Sequence, residues 1–124
     1  MVIRGQFAEI RVKMKKLVWQ VAMAVEPGED GMLRFAFHAP CPSLIKDVFD
    51  RLRGTLFEDY QITEEVMGQI INGKCYRAWV AEVRGADTHR LSASEWPMVI
   101  KGMMERRFRC RVTYFENYDK FLNA

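Results

Sequence analysis

Apolar and polar residues alternate near the start of the chain. Ile10, Val12 and Met14 are interleaved with Arg11 and Lys13, the two-residue period of a strand with one buried face. Leu17, Trp19, Val21, Met23 and Val25 continue the alternation out of phase. The shift at Lys15-Lys16 predicts a bulge or a new strand, because a one-residue slip sends every side chain to the other face. A single strand from Phe7 to Glu26 would be ~65 Å long, too long for a domain of this size. Pro27-Gly28-Glu29-Asp30-Gly31 is a turn signal, and Leu33, Phe35, Phe37 and Ala39 then alternate with Arg34, Ala36 and His38. Together these predict a β-hairpin with a longer loop.

The period changes after Pro40-Cys41-Pro42-Ser43. Leu44, Ile45, Val48, Phe49 and Leu52 share one helical face, Asp47 and Arg51 pair at i,i+4, and Gly54 suits the residue beyond the helix end. Thr55–Ile62 reads as a loop or a short strand. Thr63 is expected to cap a short helix bearing Val66, Met67, Ile70 and Ile71, stopped by Asn72-Gly73. Lys74–Arg84 has the aromatic and β-branched content of a strand, apolar on both faces and therefore central. Ser92-Ala93-Ser94-Glu95 fits a capping box, with Ser94 the alternative cap because of Pro97. Trp96, Val99, Ile100, Met103 and Met104 form the stripe of the helix that follows. Phe108 to about Phe115 is a last strand, and Tyr118–Leu122 is one helical turn.

The order ββααβαβ predicts an α+β fold: one two-layer sandwich domain over 1–124, a mixed sheet of four to five strands with three helices packed on it. Were the last two strands neighbours, they would be parallel, joined by a right-handed crossover. Residues 1–13 are set apart as an N-terminal extension or extra strand, since Met14 is a second plausible start.

Composition fits one globular domain: 124 residues, 49% hydrophobic and 28% charged, rule out a disordered polymer. No apolar run reaches the ~20 residues of a membrane span, and the N-terminus shows no signal-peptide core. Three separated cysteines, Cys41, Cys75 and Cys110, then point to reduced thiols in the cytoplasm. The net charge of +3 permits an anionic partner without requiring one. Arg4, Arg11 and Lys13 against Glu9 put much of that charge in the extension.

Candidate chemistry is sparse. Cys41 falls between a strand end and a helix start, where a helix N-terminus favours a thiolate, and His38 is near enough in sequence to assist. This predicts a small thiol-dependent enzyme or redox protein as the alternative reading. A cysteine filling the turn beneath the helix accounts for the same residue. Arg107, Arg109 and Arg111 are expected on one face of the last strand, with Lys101 nearby and Phe115 placed to stack on a base. A solvated, charge-protected strand explains that row equally well. Glu58, Asp59, Glu64 and Glu65 make an acidic patch, of which Glu64 and Glu65 are best read as a helix start and Glu58 and Asp59 as part of the loop before it. His89 lies on a polar loop. No ligand spacing joins the histidines and cysteines, so neither a metal nor a cofactor is expected.

Trp19, Trp79 and Trp96 are expected in the core, and Met98 off the helix stripe. Eight methionines and three tryptophans leave apolar surface to spare, which predicts a homodimer. The leading expectation is a non-enzymatic binding or accessory protein, self-associated, with nucleic acid as ligand. A pocket for a small molecule between helices and sheet is the third reading.

Overall fold

The computed structural model describes residues 18–68, 77–86, 90–92 and 94–122. The predicted hairpin is β1 (Trp19–Pro27) and β2 (Leu33–His38), antiparallel with Met23 opposite Phe37 and Val25 opposite Phe35. A 3-10 turn at Glu29–Gly31 joins them, with Asp30 and Gly31 both at positive φ. Helix α1 (Pro42–Leu52) follows, and Gly54 (φ 82°) takes the left-handed conformation that lets the chain turn away. Then come β3 (Asp59–Val66), β4 (Arg77–Arg84), α2 (Glu95–Arg107), β5 (Cys110–Phe115) and the short α3 (Tyr118–Leu122).

The five strands form one mixed sheet in the order β3-β4-β2-β1-β5. Helices α1 and α2 pack on one face, giving the expected α+β sandwich. One expectation needs correction. The segment after Thr63 is not a helix start: Thr63 to Val66 complete β3, paired with β4 at Thr63–Val80 and Glu65–Ala78. The last two strands are not neighbours, so the condition for a parallel pair joined by a right-handed crossover is not met. β5 runs parallel to β1, with two strands between it and β4, so the α2 connection crosses over β2 and β1. The expected bulge at Lys15-Lys16, the strand of residues 10–14, Ile70 and Ile71 lie outside the described residues.

Strand alternation sorts the sheet into two faces. Val21, Met23, Phe35, Phe37, Ala81, Val83, Cys110 and Val112 face the helices. Phe49 from α1 meets Phe35 edge-on at 5.3 Å, and Trp96 from α2 meets it at 6.1 Å. Each such fully buried aromatic contributes about 1.5–3 kcal/mol through area removed from water, and this layer is where the fold is held. The opposite face carries small residues, Ala22, Ala24, Ala36, Ala78 and Val80, with α3 laid across its middle. Trp96 is buried as expected and Met98 is exposed, but Trp19 is 50% exposed at the start of β1 instead of in the core. Helix α2 begins after Ser94, and Ser92 bonds the Glu95 side chain at 3.0 Å without completing a capping box.

Candidate functional site

Cys41 is the N-cap residue of α1, with Pro42 in the first helical position, where its missing N–H costs nothing. The thiol is half-buried, and its Sγ lies 3.0 Å from Ser43 Oγ. The Ser43 hydroxyl is the main cause holding the thiol below its ordinary pKa. Partial burial opposes it, and the nearby Leu44 and Ser43 amides add to it without forming a cap hydrogen bond.

His38 does not assist. It ends β2 on the open face of the sheet, away from α1. Its ring stacks on Phe121, centroids 4.2 Å apart and planes 6° apart. Its Nδ1 lies 2.9 Å from the Arg77 carbonyl oxygen. A carbonyl only accepts, so that contact assigns the proton to Nδ1.

The predicted row of arginines is broken. Arg107 is the last residue of α2, not a strand residue, and its Nε donates to Asp47 of α1. That bond is the main cause of the lowered Asp47 pKa. Lys101 sits half-buried in the middle of α2. Arg109 precedes β5, and its carbonyl accepts the Trp19 N–H at 2.9 Å. Arg111 is exposed on β5 and makes no ion pair to a described residue. Strand alternation puts Arg111, Thr113 and Phe115 together on the open face, since their neighbours Cys110, Val112 and Tyr114 pack toward the helices. The acidic patch is likewise dispersed: Glu64 pairs with Arg77 at 3.4 Å, Asp59 with Arg53 at 3.7 Å and Glu65 with Arg34. Cys75 and His89 lie outside the described residues, and Cys110 is buried, its thiol pKa pushed up by that burial.

The open face divides into two halves. Toward the hairpin turn, Arg34 stands among Glu65 (2.6 Å), Glu26 (3.7 Å) and Glu82 (3.7 Å), carboxylates from three other strands. Toward the other end the face is hollowed. Gln20, Ala22, His38, Thr113 and Phe115 line a depression of about 250 Å³. It exists because Ala22 has almost no side chain to fill the floor between β5 and β2. A second hollow of about 420 Å³, lined by Gln20, His38, Glu64, Arg77 and Trp79, adjoins it at the sheet end. Gln20 and His38 line both. These hollows lie on the open face and the sheet end, not between helices and sheet, where a small-molecule pocket was expected.

Sequence reasoning missed both halves. The one local signal was the polar and small side of the hairpin: Ala22 and Ala24 on one strand, Arg34, Ala36 and His38 on the next. Among the described residues no group of three or more His, Cys, Asp or Glu side chains is placed to hold a metal ion, and no helix is long and apolar enough to cross a membrane. Set against known protein families, curated proteins and solved structures, the chain matches none of them.

Proposed function

We propose that this protein is a binding module that takes single-stranded nucleic acid across the hollowed end of its open sheet face. The observation that carries the reading is the depression over Ala22, walled by His38 and Phe115, with Arg111 on the same face of β5. A flat base fits a floor of small residues beside aromatic rings, and stacking of this kind is worth about 1–3 kcal/mol per base. Arg111 and Arg109 supply phosphate contacts along the strand edge. Lys101 and Arg107, on the helical layer, take no part.

The test is fluorescence anisotropy with a labelled 12-mer of oligo-dT at low salt. Two phosphate contacts on a single strand give a slope of log K against log salt of about −1.4. Arg111→Ala is expected to halve that slope, and Ala22→Leu, which fills the hollow, to weaken binding at least tenfold. Absence of binding at micromolar protein, or binding indifferent to both changes, removes the reading. Self-association belongs to the same proposal. The exposed Val18 and Trp19 at the start of β1 support it, and a monomeric solution mass would count against it.

A second reading is favoured by the placement of Cys41: a thiol active in redox or nucleophilic chemistry, held at a helix start by Ser43. It predicts half-maximal alkylation below the ordinary ~8.5 of a free cysteine, moved back up by Ser43→Ala. An ordinary alkylation curve ends it.

A further inference from the structure

We propose that the socket filled by Phe121 is a second base-stacking position of the same face, and that α3 occupies it as a displaceable stand-in for a base. This rests on the nucleic-acid reading of the open face. Phe121 is fully buried, although it belongs to a helix of only five residues. Its floor is Ala24, Ala36, Ala78 and Val80. On one side His38 lies parallel at 4.2 Å, the separation and tilt of stacked rings, and on another Phe115 meets it at 6.5 Å and 66°. His38 and Phe115 are also the walls of the open hollow over Ala22. One pair of rings therefore serves two adjoining positions, one filled by the chain's own phenylalanine and one open.

The hold on α3 is light. A helix this short has too few internal hydrogen bonds to persist alone. It is linked to β5 through Glu116 and Asn117, and Asn117 accepts the Asp119 N–H on its side-chain oxygen and the Phe121 N–H on its main-chain oxygen. The Tyr118 hydroxyl is buried near Glu26 without a well-formed hydrogen bond among the described residues, so docking leaves a polar group poorly satisfied. Segments with this balance open first. A strand already held by Arg111 and stacked over Ala22 would place its next base against His38, where Phe121 now sits.

The experiment compares full-length wild type with Phe121→Ala, using the same labelled oligo-dT, and follows amide exchange across 118–122 in wild type with and without saturating oligonucleotide. The proposal expects Phe121→Ala to bind about tenfold more tightly and the α3 amides to exchange faster in the complex. It is overturned if Phe121→Ala binds equally or more weakly, or if α3 becomes more protected on binding. The exchange measurement stands even if the variant fails to fold. Binding that depends on Arg111 but leaves α3 unmoved defeats this inference alone. No binding by either protein defeats the nucleic-acid reading with it.

Discussion

Replacing Arg34 with methionine probes what holds the open face together. The guanidinium stands among three carboxylates carried on three different strands, with Nη2 2.6 Å from Glu65 and its other nitrogens 3.7 Å from Glu26 and Glu82. Burial works against its charge, but Glu65 first and then Glu82 and Glu26 together outweigh that and raise its pKa. The side chain is 28% exposed, between two measured regimes. Exposed pairs are worth about 0–1 kcal/mol, and breaking a buried pair costs about 3–5 kcal/mol. The structure therefore sets the loss at about 2 kcal/mol, since methionine keeps the apolar stem but leaves three carboxylates facing one another. Urea unfolding at 50 mM and 1 M NaCl reads this directly. Screening at high salt should shrink the gap between wild type and variant to about 1 kcal/mol, because the Debye length falls to ~3 Å. Adding Glu65→Gln to Arg34→Met should recover part of the loss. A cost below about 0.5 kcal/mol, or one indifferent to salt, refutes the reasoning and makes the cluster a surface ornament.

Three further outcomes are expected. Glu105 reaches from α2 to accept the Val112 N–H on β5 at 3.0 Å; Glu105→Ala should cost about 1.5–3 kcal/mol and promote edge-to-edge association in sedimentation, because the edge amide is uncovered. Ile62 packs toward the helices while its neighbour Thr63 is exposed, so Ile62→Asp should lower the urea midpoint sharply and Thr63→Asp should change stability by less than about 0.5 kcal/mol; equal effects would contradict strand alternation in β3. Because the Cys41 pKa is lower in the folded chain than in the unfolded one, its contribution is present in full above the unfolded value and lost as pH falls through the folded one. Wild type should therefore gain stability relative to Cys41→Ser on going from pH 6 to pH 9, as followed by thermal unfolding.

Much of the fold was legible because local pattern and tertiary role agree. The hairpin alternates cleanly because one of its faces meets α1 and α2. Helix α1 shows its stripe, its Pro42 start and its Gly54 exit. β3 was misread for a physical reason. As an edge strand it packs only Tyr60 and Ile62, each half-buried, against the core, so the pattern of alternation is weak, and Val66 and Met67 mimic the start of a helical stripe beyond Thr63. Pairing with β4 overrides that local preference. The arginine row failed at a boundary: no glycine or proline separates Arg107 from Phe108, so the sequence does not mark where α2 stops and the chain extends. His38 lies three residues from Cys41 yet faces the other side of the sheet, because proximity along a strand says nothing about which face a side chain takes. The hollow over Ala22 was hidden more deeply. It needs β5 beside β1, a neighbour relation between strands far apart in the sequence that no local pattern encodes.

The most direct test of the binding account is a set of backbone amide shift maps recorded on isotope-labelled protein titrated with oligo-dT. The account predicts perturbations concentrated at Gln20, Ala22, His38, Arg111 and Thr113, joined by Tyr118–Leu122 as α3 is displaced, with α1 and the outer face of α2 unmoved. Shifts centred on Lys101 and Arg107, or none at saturating oligonucleotide, would contradict it.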